Sequence, residues 1–381
     1  PLRSSTRGRL ELERLPNLSR NIINVISLAP GVSPTFNPRG GQLITLTGAQ
    51  AGQIAANGGR SKASAHQLDY VDANDWEFGG IALGTQPNPD MMQEFKLLAN
   101  NWSAEYGVKA SAQVIMVTKS GSNDFHGSAY NFLQNSALNS RDYLDRTGRA
   151  TPLRQNFFGA TAGWRLIRDR AFFFAGYEGR ETRGAGSTVL ANLPSAAARE
   201  RVTDPSVRSL LTLLPTPNIA TANPNVGQLT SQLTSPSSSD QFIARGDYYF
   251  TPQHSLALRY FQNVGTALNR LAGGVLPGFD ATFDPVGRNA MVTDTWILNA
   301  RTTNELRLGY GRSSALFSPE REPATPRFNI TGLLSFGTVN NWPQGRIFNI
   351  YQVNDVVTRV QGRHLLKAGF DLRHIQDNSV N

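Results

Sequence analysis

The stretch HLLKAGFDLRH, residues 364–374, sorts its side chains by parity. Leu366, Ala368, Phe370 and Leu372 fall on one parity, and Lys367, Gly369, Asp371 and Arg373 on the other. Successive side chains of a strand point to opposite faces, so this run carries one apolar and one polar face. The same division recurs in 303–312, where Leu306, Leu308 and Tyr310 alternate with Glu305, Arg307 and Gly309. In 241–250, Phe242, Ala244, Tyr248 and Phe250 alternate with Gln241, Arg245 and Asp247. A soluble half-buried sheet has the same period of two, so alternation alone does not decide the class.

The connections decide it. Strand-like runs occupy 125–133, 156–164, 171–180, 241–250, 254–263, 288–298, 303–312, 349–360 and 364–374. Their joins run long (134–155), short (165–170), long (181–240), short (251–253), long (264–287), short (299–302), long (313–348) and short (361–363). A membrane β-barrel has tight turns at one rim and long loops at the other, whereas nothing forces a β-sandwich to alternate its loop lengths. Each run has about the 9–11 residues a tilted strand needs to cross the hydrocarbon layer. Apolar side chains would face lipid, charged ones a wet lumen, and Tyr177, Tyr248 and Tyr310 the interfaces. Runs 288–298 and 349–360 are ambiguous, because Asp294 and Asp355 interrupt both faces.

Composition narrows the function classes. The 381 residues contain no cysteine, which excludes disulfides and thiolate-bound metal. No run approaches the roughly 18 apolar residues of a membrane helix. The net charge of +9 comes from 37 basic and 28 acidic residues, spread without a dense basic run or helix, so nucleic acid is not an expected partner. Arginines lining a lumen or facing anionic lipid head groups use the same charge. His66, His126, His254, His364 and His374 are too far apart for a metal-binding motif, and neither a Gly-x-Ser-x-Gly elbow nor a phosphate-binding loop occurs. No catalytic residue, metal or cofactor is expected.

Residues 1–124 read as a small mixed α/β unit. Asn17 or Ser19 is placed to cap a helix carrying Ile22, Ile23, Ile26 and Leu28, stopped by Pro30-Gly31. Short strands follow at 43–47, 67–71, 95–98 and 113–118, with a helical turn at Pro89-Asp90. The acidic cluster Asp69, Asp72, Asn74, Asp75 and Glu77 lacks the spacing and glycine of a calcium loop. With Trp76 and Phe78 beside it, it is the candidate ligand-contacting segment.

Several runs in this unit carry a resemblance: Asn57-Gly58-Gly59-Arg60-Ser61, Leu68-Asp69-Tyr70-Val71-Asp72, Pro87-Asn88-Pro89-Asp90 and Gln93-Glu94-Phe95-Lys96. Ser103-Ala104-Glu105-Tyr106-Gly107, Val117-Thr118-Lys119-Ser120-Gly121, Phe125-His126-Gly127-Ser128-Ala129-Tyr130 and 172–179 continue it. In this order they resemble the plug and first strands of TonB-dependent outer-membrane receptors, closest to the Oar-like subgroup. The match is dense over 17–180; beyond that it rests on the rhythm of strands. Tyr70 departs from the pattern, standing where the family carries glycine, as does Ala162-Gly163-Trp164-Arg165 in place of Gly-Gly-Pro.

The resemblance implies an α+β plug (1–124) followed by an antiparallel transmembrane β-barrel (125–381). It implies a full barrel of about 22 strands, of which about nine are present, so the chain is expected to be part of a longer protein. No TonB box is recognised in 1–16; it is expected upstream. The implied function is a bacterial outer-membrane receptor that imports a scarce extracellular ligand as the TonB–ExbB–ExbD complex moves the plug. Asp69, Asp72, Asn74, Asp75 and Trp76 are expected near the plug apex as ligand contacts. A structural or adhesive barrel, or a protein-export barrel, is the rival reading, and a soluble β-rich domain the third.

Overall fold

The computed structural model describes residues 4–8, 20–34, 54–76, 79–82, 84–99, 102–107, 109–140, 152–184, 188–232, 235–269, 276, 279–319, 326–330, 334–338 and 343–379. Asn21 opens the first helix, α1 (Ile22–Ile26): its side-chain oxygen accepts from Ile23 N at 2.9 Å. Asn17 and Ser19, the capping residues expected from sequence, lie outside the described residues, as do the expected strand 43–47 and Glu77 and Phe78. The helix ends before Leu28, which is 59% exposed.

The N-terminal unit comprises β1 (Ser4–Gly8), α1, β2 (Val32–Pro34), β3 (Ile54–Ala56), β4 (Ser64–Leu68), β5 (Val71–Asp72), β6 (Met92–Leu98) and β7 (Ala112–Thr118). Its sheet has the order β1-β6-β7-β4-β5, with β4 parallel to β7 and the other pairs antiparallel; β2 pairs with β3 apart from it. Ile22, Ile23, Ile26, Leu68, Met92 and Phe95 form one apolar cluster with Phe174, Ile243 and Phe261 of the later strands. Burying each of these large side chains stabilises by about 1.5–3 kcal/mol, so the unit and the following sheet share a core.

That sheet is built from β8 (His126–Asn135), β9 (Leu153–Ile167) and β10 (Ala171–Gly184). A long excursion then supplies β11 (Thr188–Pro194), α2 (Ala196–Glu200), α3 (Pro205–Leu211), β12 (Ile219–Ala220) and β13 (Val226–Gln232). The sheet resumes with β14 (Ser237–Thr251), β15 (His254–Asn269), β16 (Ala281–Asn299) and β17 (Thr302–Pro319). After the small strands β18 (Phe328–Ile330) and β19 (Leu334–Phe336), it ends with β20 (Gln344–Gln361) and β21 (His364–Asp377). Nine long strands pair antiparallel in the order β21-β20-β17-β16-β15-β14-β10-β9-β8. They continue past the alternating runs at the long-loop end, where β16 begins at Ala281 rather than 288 and β17 ends at Pro319 rather than 312. A backbone ladder needs no alternation once the strand has left the bilayer, so sequence periodicity under-reads these ends.

The faces follow the parity. Leu366, Phe370 and Leu372 are exposed on the outside, with Leu308 and Val353, while Ile243, Phe261 and Asn289 are buried on the inside. Near the short turns Phe250, His254 and Trp296 stack outward at 4.9 and 5.1 Å between ring centres. Asp294 and Asp355, which break the apolar face, are both partnered. His254 Nε2 lies 2.7 Å from Asp294 Oδ1, and Asn304 Nδ2 donates to Asp355 Oδ1 at 2.6 Å. At the other end Leu193, Leu214 and Leu229 pack with Leu276, Phe279, Leu334 and Phe336, joining three successive long connections in one apolar cluster.

Close approach of the two parts is built on glycine. Gly84 (φ +74°) touches Gly287 of β16, and a Cβ on Gly287 would collide with the Gly84 backbone. Replacing Gly287 by Leu should therefore leave the long strands paired but unseat the N-terminal unit, detected as faster proteolysis within 20–118 in the purified protein. Unchanged protection would show that the contact is not needed for docking.

His66 in β4 is fully buried, and burial, aided by the Lys109 charge, pulls its pKa down to about 4 from 6.5. The unfolded chain takes up this proton first as pH falls. Stability from neutral His66 is thus complete above about pH 6.5 and is lost as pH falls toward 4, on the order of 3 kcal/mol. A His66→Gln variant should flatten the pH dependence of unfolding in that window, as measured by urea titration; an unchanged slope would assign it to other groups.

Candidate functional site

The candidate segment 69–76 starts in a two-residue turn between β4 and β5. Asp69 (φ +46°) and Tyr70 (φ +66°) both occupy the left-handed region. Such a turn favours Asn-Gly, because a Cβ costs about 1–2 kcal/mol per residue there. Tyr70, the residue that departs from the glycine pattern, accepts this conformation, and the Arg307 guanidinium of β17 lies 4.3 Å above its ring. Asp69 is fixed by three donors and one further charge. Thr118 N and Oγ1 donate to it at 2.9 and 2.8 Å, Arg259 Nε of β15 donates at 2.9 Å, and Arg245 of β14 lies 3.9 Å away.

Arg259 has a fully buried side chain. Its remaining donors reach Leu68 O and Asn289 O, both at 2.9 Å. A charge removed from water in this way is tolerable only when paired and hydrogen-bonded, and here each of the three guanidinium nitrogens has an acceptor.

Asp72, three residues on, makes the second junction. Arg373 of β21 donates to its Oδ2 at 2.8 Å, and Gln352 Oε1 of β20 accepts from Asp72 N at 2.9 Å. Its other oxygen accepts from Asn74 N and Nδ2 at 2.8 and 3.1 Å. Burial pushes the Asp72 carboxyl up, and the Arg373 charge opposes that rise. Asn74 Oδ1 in turn accepts from His66 N at 2.8 Å, tying the segment back to β4. Asp75 lies 3.8 Å from Arg346 of β20, and Trp76 is half-buried with the Lys109 ammonium 4.8 Å above its ring.

Asp69, Asp72 and Asp75 therefore meet the inner face of the sheet in chain order, while Asn74 and Trp76 contact the N-terminal unit itself. Asp69, Asp72, Asn74 and Asp75 are all buried, at 1–5% exposure. The wall partners of the three aspartates ascend from Arg259, five residues above the short-turn start of β15 at His254, to Arg346, fifteen above the short-turn end of β20 at Gln361.

A third junction escaped the sequence reading. Arg20 Nε donates to Glu178 Oε2 of β10 at 2.9 Å and its guanidinium also pairs with Asp90. Tyr130 donates to the same Glu178 oxygen at 2.9 Å and Arg180 to the other at 2.7 Å. The Arg20 guanidinium stacks 4.4 Å from the Tyr130 ring. Glu178 is completely buried. The only signal for it was an acidic residue on the inward parity of a strand, which a water-filled lumen would explain as well. Gln241 adds a neutral junction, accepting from Asn88 N at 3.1 Å and donating to Gln86 O at 3.2 Å.

Comparison with known proteins agrees with this architecture. A family model described as an outer membrane beta barrel domain matches residues 117–381. The TonB-dependent transporter Oar of Myxococcus xanthus is 28% identical over 137 residues, which are 34% of this chain and 13% of that protein. Among solved structures, the outer membrane transporter YddB of Escherichia coli superposes with a TM-score of 0.66 at 12% identity, over 99% of this chain and 48% of its own. The siderophore receptor PirA of Acinetobacter baumannii does so with 0.59 at 14% identity, over 97% and 47%. The chain thus spans about half the length of these structures and a smaller part of Oar. With a matching model over most of its length and this fold, the chain belongs to the outer membrane beta barrel domain family and resides in the outer membrane.

Proposed function

We propose that this protein is a receptor and transporter rather than an enzyme, in which the N-terminal unit acts as a plug within an incomplete barrel of nine strands. One observation carries the reading: the plug meets the wall through buried ion pairs at Asp69, Asp72 and Glu178 rather than through apolar contact alone. Separating such a pair leaves an uncompensated buried charge, at about 3–5 kcal/mol each, until water enters and restores solvation. A plug held in this way stays seated at rest and is released by mechanical work. The TonB–ExbB–ExbD complex is the proposed source of that work, supported by the likeness to Oar.

Asp69, Asp72, Asn74, Asp75 and Trp76 are proposed to sense the ligand. Asp75 and Trp76, toward the long-loop end, would meet it, and Asp69 and Asp72 would pass its arrival to the wall. Glycans, metal chelates and peptides are the open ligand classes.

The plug assignment is testable without a ligand. Replacing Asp69 and Asp72 by Asn and Glu178 by Gln together should loosen the seat. Cells carrying this variant should admit a large antibiotic that the native receptor excludes, at equal receptor abundance. An unaltered outer-membrane barrier would mean that these pairs do not hold the lumen closed.

Sensing is tested by replacing Asp72, Asp75 and Trp76 with Ala. Uptake of whichever compound depends on this receptor, in a panel of ferric chelates, oligosaccharides and peptides, should fall at least tenfold with the receptor folded and present. Native uptake would place ligand contact elsewhere.

A further inference from the structure

Three pairs of arginines stand directly opposite one another across neighbouring strands: Arg245 with Arg259, Arg154 with Arg183, and Arg288 with Arg312. Opposed residues have Cβ atoms about 4.5–5.5 Å apart, and like charges there are destabilising. The first pair faces inward, and its repulsion is offset by Asp69 and Asp247: Arg259 Nε donates to Asp69 at 2.9 Å and Arg245 to Asp247 at 2.9 Å.

The other two pairs face outward. Arg154 and Arg183 share the parity of exposed Tyr177, opposite to that of buried Gln155 and Glu178, and Arg288 and Arg312 share that of exposed Leu316, opposite to that of buried Asn289 and Ser313. Arg312 donates to Asn349 Oδ1 at 2.9 Å, a neutral partner. Among the described residues none of these four guanidinium groups has a carboxylate in ion-pair range. Besides Asp294 and Asp355 near the short turns, the described carboxylates on the same face of these strands are Glu181, Asp240 and Asp284. Asp240 accepts from Tyr177, and Asp284 accepts from Thr266 Oγ1 at 2.6 Å. Exposed Glu181 stands opposite Asn156 and Ser238.

Their height says what covers them. Arg154 lies 13 residues from Ile167, Arg183 12 from Ala171, Arg288 11 from Asn299 and Arg312 10 from Thr302, each counted from the short-turn end of its strand. At about 3.3 Å per residue and a tilt of about 35–45°, all four stand roughly 25–35 Å above that rim. The apolar band of such barrels is about 25 Å tall, so the pairs emerge at the head groups of the outer leaflet. Tyr310 and Tyr351, 5.4 Å apart, sit just beneath the second pair. Beside the first, Asn135, Ser136, Pro152 and Pro236 help to line a cleft of about 760 Å³.

We propose that Arg154/Arg183 and Arg288/Arg312 are two seats for the phosphate groups of phosphorylated lipid head groups in the outer leaflet. A phosphate takes a fork of donors from each guanidinium and replaces the mutual repulsion with charge-assisted hydrogen bonds. The inner pair displays the same solution with a carboxylate as the anion.

The test uses receptor extracted from outer membranes, stripped of lipid in a non-ionic detergent and titrated with a bisphosphorylated glycolipid under native mass spectrometry. The native protein should retain two lipids. Arg154→Gln with Arg183→Gln should lose one, weakened at least tenfold, and Arg288→Gln with Arg312→Gln the other. Arg359→Gln, an exposed arginine at the short-turn rim, should retain both. Unheated gel mobility reports that each variant is folded. Native retention by both double variants overturns the proposal. So does equal loss from Arg359→Gln, which would make net charge the cause, and so does inorganic phosphate displacing the glycolipid at equal concentration.

Discussion

Arg259 brings a permanent positive charge into a place without water, and much of the interior is arranged around that fact. Asp69 supplies the counter-charge, while two carbonyls, one from each part of the molecule, take the remaining donors. Because Asp69 lies in a left-handed turn, the turn is fixed by the wall as much as by its own sequence. Once seated there, β5 follows along β16, β17 and β20, and Asp72 reaches Arg373. The geometry of the N-terminal unit and that of the long sheet are thus mutually specified.

The addition of buried ion pairs to the shared apolar core has a physical consequence. A purely apolar interface holds without dependence on charge and exposes oily surface when opened, whereas a buried ion pair contributes little net stability while intact. It resists partial opening strongly, because a single lost partner strands a charge in low dielectric. Complete opening admits water and is less costly. Such an interface switches between seated and hydrated states with few stable intermediates, which is the behaviour the proposed plug needs.

The outer face follows the same electrostatic rule with different solvents. Carboxylates that fall in the lower third, Asp294 and Asp355, are covered by His254 and Asn304. Among the described residues the opposed outward arginines beyond the apolar band have no carboxylate, Arg312 having the neutral partner Asn349, and there, on our proposal, the surrounding head groups take the role that Asp69 plays inside.

The sequence alone determined the nine strands of the long sheet, the parity of their faces outside the two runs that Asp294 and Asp355 interrupt, and the end at which the long connections lie. These are local consequences of a period of two and of turn length. It also located the acidic segment 69–76 and marked Tyr70 as anomalous. Tertiary structure decided what that segment touches. The alternation that puts Arg259, Arg373 and Glu178 on an inward face is equally satisfied by lumen water, so their partners were not legible; pairing depends on which residues, up to 301 apart in the chain, meet at one height. Helix α1 was capped by Asn21 because the backbone turns there, a choice among several nearby polar residues that spacing leaves open. The opposed arginines were likewise invisible, since the alternation of a strand leaves its register open in steps of two residues and the turn geometry settles it.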